Sequence, residues 1–315
     1  MDIAALCDGL LAGNRRALSR VLTEVENGSP AGREATRRLY AKTGRAQTIG
    51  ITGSPGAGKS TVTNGLAKEY RQRGKSVGIV AVDPSSPFTQ GAILGDRVRM
   101  QELTSDPEIF MRSLASRGAL GGLSSGTMDV ILALDAFGKD VILIETVGAG
   151  QDEVEIAGTA QTTVLINTPG MGDDIQAMKA GIMEIADVLG INKADLPGAE
   201  ILESQLRALL TFSAHKDWEP PIVRMVATKN EGMAALADAC DRHHAYLRES
   251  GRWEAAEKRR ARHQLLTEAR QRLLRRIMER GGGEARFDAL VTAVARRETD
   301  PHSAVDVLIA EALGA

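Results

Sequence analysis

The segment Gly53-Ser54-Pro55-Gly56-Ala57-Gly58-Lys59-Ser60 constrains this chain more than any other. It matches G-x-x-x-x-G-K-S/T in full, follows the short apolar run Gln47–Thr52, and opens a helical stretch, Lys59–Gly74. Strand, Gly-rich loop and helix in that order form a phosphate cradle. Glycines let backbone N–H groups curl around phosphate oxygens without Cβ clashes, and the helix start adds the positive end of its dipole. The candidate phosphate-binding residues are therefore Gly53, Ser54, Pro55, Gly56, Ala57, Gly58, Lys59, Ser60 and Thr61. In this arrangement Lys59 reaches the β- and γ-phosphates, and the Ser60 hydroxyl is placed to ligate Mg²⁺.

The apolar strand ahead of the loop is repeated along the chain. Val77–Asp83, Asp140–Glu145, Thr163–Asn167, Val188–Asn192 and Ile222–Ala227 read as further strands, with helical stretches between them. Alternation of this kind predicts a parallel sheet covered on both faces. Aromatic residues make up only 3% of the chain, so the core must come from Ala, Leu, Ile and Val, which suits such a sheet. Before residue 46 the pattern is helical: Leu6, Leu10, Leu11, Leu18 and Leu22 recur at helical spacing, broken at Asn27-Gly28-Ser29-Pro30. Beyond about residue 233 it is helical again. Arg252–Arg280 holds ten Lys/Arg against four Asp/Glu in a chain of net charge −2, and Leu265, Leu266, Leu273, Leu274 and Ile277 form a broken apolar stripe along it. A basic helical face is first of all a solvated one. A subunit-interface arm is the next reading, because the stripe needs a partner, and nucleic-acid binding comes third, since no aromatic interleaving accompanies the charge. The expected fold is thus α/β: a three-layer P-loop NTPase with a mostly parallel central sheet. The expected division is an N-terminal helical extension over 1–45, the nucleotide domain over 46–248 and a C-terminal helical arm over 249–315.

Acidic residues at strand ends supply candidates for the metal. Glu145 closes an apolar strand and leads into Thr146-Val147-Gly148-Ala149-Gly150-Gln151. A carboxylate there can hold Mg²⁺ through water or orient the attacking water, and Gly148 would let the backbone approach the γ-phosphate. Asp83 ends the neighbouring strand and Asp96 lies in a following Gly-flanked loop; either can complete the Mg²⁺ shell beside Ser60 and Glu145.

Asn192-Lys193-Ala194-Asp195 decides the base. An Asp carboxylate here accepts two parallel hydrogen bonds from guanine N1–H and the exocyclic amine, whereas adenine offers no such donor pair and leaves the carboxylate unpaired. Asn192 is expected to contact N7 and the loop, and the stem of Lys193 to cover the base plane. Ala227-Thr228-Lys229 is placed to offer a backbone N–H to the guanine oxygen. The bound nucleotide is accordingly GTP or GDP, not an adenine nucleotide.

These motifs, with the longer blocks VDPSSPFTQGAILGDRVRM (82–100), RSLASRGALGGLS (112–124), ETVGAGQDE (145–153) and PGMGDDIQAMKAGIMEIAD (169–187), resemble the MeaB/ArgK-type P-loop GTPases, the family of the methylmalonic aciduria type A protein. The resemblance runs over nearly the whole chain. It implies a homodimeric, Mg²⁺-dependent GTPase serving as chaperone to an adenosylcobalamin-dependent acyl-CoA mutase, most often methylmalonyl-CoA mutase, in which the nucleotide cycle gates cofactor loading and protects the mutase. By the same resemblance Asp83 and Asp96 belong to a first switch, Glu145 to Gln151 to a second, and Asp173, Asp174 and Lys179 to a third that communicates with the mutase. Asn167, Thr168 and Gly190 stand where the family has aliphatic residues, and are expected to loosen the strands beneath the third switch and the base loop.

Hydrolysis in such a site is positioning plus charge stabilisation. Lys59 and Glu145 are candidate catalytic groups, and Arg99, Gln151 and Lys179 are candidates for completing the site from loops, with a partner raising a slow intrinsic rate. Other classes fit less well. A nickel-delivering metallochaperone would carry His-rich tracts or paired Cys, and here five His are scattered and Cys7 and Cys240 are far apart. A transport-linked ATPase or kinase is opposed by Asp195. The two cysteines suit a reducing compartment, no apolar run reaches the ~18 residues of a membrane span, and Asp2 and Asp8 interrupt what would have to be a signal peptide. A cytoplasmic protein without membrane or nucleic-acid partners is expected.

Overall fold

The computed structural model describes residues 2–83, 105–115, 125–146, 152–170, 185–212, 217–280 and 282–313. Seven strands form one sheet: β1 (Gln47–Gly53), β2 (Val77–Asp83), β3 (Ile109–Ala115), β4 (Val141–Thr146), β5 (Thr162–Asn167), β6 (Val188–Ile191) and β7 (Ile222–Arg224). Their order is β3-β2-β4-β1-β5-β6-β7, and every pairing is parallel. β1 sits centrally, and the chain continues from it to β2 on one side and later returns to β5 on the other. The crevice beyond the carboxyl end of β1 is therefore the point where ligands bind in such sheets.

β3 is the strand that hydropathy does not announce. Its sequence, IFMRSLA, is broken by Arg112 and Ser113; it lies at the sheet edge, and Arg112 reaches a neighbouring helix. Arg112 pairs with Glu26, and Arg15 donates to the carbonyls of Pro107 and of Ile109, the latter at 2.9 Å. An edge covered in this way is shielded from pairing with a strand of another chain.

The N-terminal helices supply that cover. They are α1 (Ile3–Leu11), α2 (Arg15–Glu26) and α3 (Pro30–Leu39), each with a side-chain cap from Asp2, Asn14 and Ser29 respectively. The leucine spacing that reads as one continuous helix is divided at Gly13 as well as at Gly28. Leu10, Leu18, Val21, Leu22 and Leu39 are buried in one cluster with Val80, Val82, Ile142 and Ile144 of the sheet, so these helices form part of the main core. Residues Met1–Arg260 make one compact unit.

On the other face α4 (Lys59–Gln72) and α8 (Met233–Glu249) pack Val62, Leu66, Tyr70, Met233, Leu236 and Cys240 against Ile49, Ile51, Val164 and Ile166. The first face is completed by α5 (Ser125–Ala136), α6 (Asp152–Thr159) and α7 (Ala199–Phe212), the last covering Leu165, Leu189 and Ile191. The result is a three-layer α/β fold.

Gly190 does not loosen β6. A Cβ added there would stand 2.7 Å from Met225 Cε and 2.9 Å from Ile166 Cδ1, so the missing side chain admits close packing. Asn167 is likewise buried in β5, its Nδ2 donating to Leu165 O at 3.2 Å and Gly190 O at 3.4 Å.

The second unit, Ala261–Ala315, contains most of α9 (Trp253–Arg280), then α10 (Gly283–Ala295) and α11 (Pro301–Leu313). Within it Arg286 clasps Glu311 through Nε at 3.1 Å and Nη2 at 2.6 Å. Leu265, Leu266, Leu273, Leu274, Phe287, Val291, Val305 and Ile309 are exposed. No helix among the described residues is long and apolar enough to cross a membrane.

Candidate functional site

The loop after β1 turns on Gly56 and Gly58, both at positive φ (+77° and +88°), and Gly58 is the residue from which α4 departs. Gly58 is required twice over. Its left-handed backbone disfavours a side chain, and a Cβ there would fall 2.4 Å from Asn192 Nδ2. The turn leaves the first N–H groups of α4 without partners inside the helix, at the carboxyl end of β1, where an anion can take them.

Inside the loop Lys59 is buried, its Nζ donating to Gly53 O at 2.6 Å and Ser54 O at 3.2 Å. The ammonium is thus held within the cradle rather than in solvent. Ser60, one residue on, hydrogen-bonds through its hydroxyl to Glu145 Oε1. Glu145 is 1% exposed and in register with Ile51 of β1 and Ala81 of β2, so the sheet itself carries the carboxylate to the first turn of α4. Thr52 and Thr146, both buried, lie beside it with their hydroxyls 3.5 Å apart. This hydroxyl–carboxylate set is all oxygen. It fits Mg²⁺, a hard ion that takes one or two protein oxygens together with phosphate and water. Asp83 closes β2 on the strand next to β4. Asp96, Gly148, Gln151 and Lys179, with Arg99, Asp173 and Asp174, lie outside the described residues.

The base loop is tied directly to the phosphate loop. Asn192 is 3% exposed, and its Nδ2 donates to Ala57 O at 2.8 Å while its Oδ1 accepts from Ala227 N–H at 3.1 Å. One Nδ2 hydrogen remains for a base nitrogen. Lys193 takes the left-handed conformation (φ +56°), uncommon for a residue with a side chain, and its Nζ donates to Gly56 O at 3.0 Å. The long stem therefore spans from one loop to the other, as a cover for a planar base requires. Asp195 points elsewhere, to Lys229 Nζ at 3.2 Å, with both groups about half exposed.

Two features of this loop are not legible as motif. The N–H of Ala227 is committed to Asn192 and that of Lys229 to Val226 O at 2.9 Å. Within the turn Ala227–Lys229, Thr228 is the residue whose N–H has no partner among the described residues, and so the one available to a guanine carbonyl. Lys229, the last residue of the same turn, supplies the cation beside Asp195; its place in Ala227-Thr228-Lys229 was the available signal.

Phosphate cradle, oxygen donor pair and base loop thus surround one crevice at the carboxyl end of β1. The arrangement can grip a polyphosphate and bring a hard cation to it, and it ties the Asn192–Asp195 loop to the same crevice.

The model of the family described as methylmalonyl-CoA mutase-associated GTPase MeaB matches residues 18–281. A GTPase-named protein of Pyrococcus abyssi is 44% identical over 99% of this chain and 97% of that protein. The mitochondrial methylmalonic aciduria type A homolog of Caenorhabditis briggsae is 32% identical over 79% of this chain and 65% of its own length. Among solved structures, one titled LAO/AO transport system kinase superposes with a TM-score of 0.72, covering 97% of this chain and 96% of that one at 23% identity, a likeness of fold.

Proposed function

The chain belongs to the MeaB family of methylmalonyl-CoA mutase-associated GTPases and is a guanine-nucleotide-binding, GTP-hydrolysing P-loop enzyme; from that premise we propose that it is an Mg²⁺-dependent chaperone of an adenosylcobalamin-dependent acyl-CoA mutase, methylmalonyl-CoA mutase in the first instance. In this reading the nucleotide cycle gates cobalamin loading and protects the mutase from inactivation. The observation that supports a switchable site is the tie from Asn192 to both Ala57 and Ala227, which makes base recognition and phosphate binding one mechanical unit.

In this reading each loop has its own role. The loop 53–61 holds the phosphates through its N–H groups, and Lys59 adds charge at the β/γ bridge. Ser60 and Glu145 hold Mg²⁺, with Asp83 and Asp96 as further oxygen donors; when bound, the ion neutralises charge developing on the phosphate oxygens. Glu145 also orients water in the crevice, Asp195 pairs the guanine edge, Lys193 covers its face, and Thr228 donates to its carbonyl. Gly148, Gln151 and Lys179 complete the site on the switch side, under control of the partner.

The helices beyond residue 249 act as a dimerisation arm, supported by the exposed Leu265, Leu266, Leu273 and Leu274, since such a stripe gains by burial against a second copy. In this reading an N-terminal helical lead (1–45), packed into the core of the GTPase domain (46–248), and the arm (249–315) have separate tasks, and the protein works in the cytoplasm.

The test is the steady-state GTPase rate with and without purified methylmalonyl-CoA mutase under conditions where the complex is shown by sedimentation. A rise in kcat on complex formation is expected. An unchanged rate in a demonstrated complex would overturn partner-completed hydrolysis, and failure to form a complex with GDP or with a nonhydrolysable GTP analogue would overturn the chaperone reading.

A further inference from the structure

A groove of about 650 Å³ runs between α1 and α2 above the start of the edge strand β3. Its floor is apolar, formed by Leu6, Gly9 and Phe110, and its rim carries Arg15, Arg16 and Arg20. Among the described residues no carboxylate lines it.

The three arginines are not equivalent. Arg15 is committed to the carbonyls at the β3 edge and lies 5.4 Å above the Phe110 ring. Arg16 and Arg20 are exposed, and their guanidiniums form no ion pair or hydrogen bond among the described residues. Their placement gives the isolated helix nothing. Arg16 stands in the first turn of α2, where the dipole disfavours a cation, and the two guanidiniums follow at i,i+4, a mutually repelling spacing. Glu24, which could pair with Arg20 one turn on, instead accepts from Ser29 Oγ at 2.5 Å.

The groove also lacks what a small ligand needs. Pockets for small molecules fix orientation with a few placed polar groups. Here Asn14 Oδ1 is committed to the N–H groups of Arg16 (2.9 Å) and Ala17 (3.2 Å), and Ser19 Oγ donates to Arg15 O at 3.0 Å. What remains is an apolar floor with two free guanidiniums on long stems, which suits carboxylates carried on a protein surface.

We infer that the α1–α2 groove is a docking surface for an acidic patch of the mutase, with carboxylates at Arg16 and Arg20 and an apolar side chain over Leu6 and Phe110. This rests on the mutase being the partner. It places a contact at the edge strand, apart from the nucleotide crevice at the carboxyl end of β1.

The experiment measures binding of the full-length protein to methylmalonyl-CoA mutase by biolayer interferometry, with GDP and with a nonhydrolysable GTP analogue. Arg16→Glu/Arg20→Glu is expected to weaken binding about tenfold or more, chiefly through the association rate, while basal GTPase activity and thermal midpoint stay at the wild-type values. Arg16→Lys/Arg20→Lys should restore binding to within about threefold, because charge rather than a fixed bidentate geometry is required. Should the double Glu variant fold poorly, Arg16→Gln/Arg20→Gln takes its place with a loss of several-fold expected. Wild-type binding by the mutase together with unchanged binding of the charge-altered variant would overturn the groove and leave the chaperone reading intact. Absence of wild-type binding in both nucleotide states would overturn both.

Discussion

Asn192 holds Ala57 through a buried hydrogen bond of 2.8 Å, joining the base loop to the phosphate loop across 135 residues of chain. The same amide takes the Ala227 N–H, so three loops from three βα junctions meet at one side chain. A loop that must close on a nucleotide gains from having its two ends positioned in advance, because less conformational freedom is then lost on binding.

Removing this amide should therefore cost both binding and stability. Asn192→Ala leaves the Ala57 carbonyl and the Ala227 N–H buried and unpaired, a loss of about 1–3 kcal/mol per group. The urea midpoint should fall, and the Kd for a fluorescent GDP analogue should rise by more than about tenfold. Asn192→Asp restores an acceptor for Ala227 but places a carboxylate against the Ala57 carbonyl, so it should be no better than Ala for nucleotide. Nucleotide affinity at the wild-type level in Asn192→Ala would show that the tie is not needed.

The carboxylate of Asp195 carries base choice. Asp195→Asn replaces a double acceptor by an amide that donates, which suits the carbonyl of xanthine and opposes the guanine amine. Competition binding should show GTP affinity falling by about a hundredfold or more, with XTP bound in preference. Lys229, 3.2 Å from Asp195 and exposed, should matter far less: Lys229→Met is expected to change GTP affinity by less than about fivefold. Retained GTP preference in Asp195→Asn would remove Asp195 from the assigned role.

Gly190 is a packing position. Gly190→Ala introduces a Cβ 2.7 Å from the Met225 terminal methyl and 2.9 Å from Ile166 Cδ1. Met225 is flexible but Ile166 is fixed in β5, so the strand must shift. A loss of about 1–3 kcal/mol is expected, read as a lower urea midpoint with an unchanged slope. Phosphate affinity should hold, since β6 leads to the base loop and not to the cradle. A gain in stability would mean that the site has slack.

Much of this architecture is legible in the sequence, and the exceptions have physical causes. β2 and β4 read as the apolar runs Val77–Val82 and Val141–Ile144, and β1, with Thr48 and Thr52 among its buried residues, is marked instead by the Gly-rich loop that follows it. β3 has neither mark, because Arg112 leaves the apolar pattern to pair with Glu26. The division between α1 and α2 is hidden because Leu10 and Leu18 keep helical spacing across Gly13. In the site, local spacing identifies Lys59, Ser60 and the Asn192–Asp195 motif, since each works through its neighbours in the chain. The Asn192–Ala57 tie and the commitment of the Ala227 N–H depend on tertiary register, which no local pattern encodes.

The far end of the sheet offers a test of pH dependence separable from catalysis. His243 of α8 is 4% exposed, with Nδ1 3.0 Å from Thr162 Oγ1 and Nε2 3.3 Å from Asp187 Oδ1. Thr162 as donor to Nδ1, with Nε2–H directed at Asp187, describes a neutral ring with both nitrogens used. Trp218 packs against it, ring centroids 5.0 Å apart. Burial, reinforced by the adjacent His244 ring, lowers the pKa of His243 from 6.5 to about 4. The unfolded chain takes up this proton near pH 6.5 and the folded chain only near pH 4, so between those values the unfolded state binds more protons. The stability supplied by the neutral ring is thus fully present above pH 6.5 and is lost as the pH falls toward 4, by about 3 kcal/mol over the interval. His243→Gln cannot titrate. Its stability should be lower at pH 7, through the altered contacts to Thr162 and Asp187, but should fall less steeply between pH 6.5 and 4.5 than that of the wild type. Urea midpoints across that range decide the matter, and parallel curves for the two proteins would show that His243 does not set the slope.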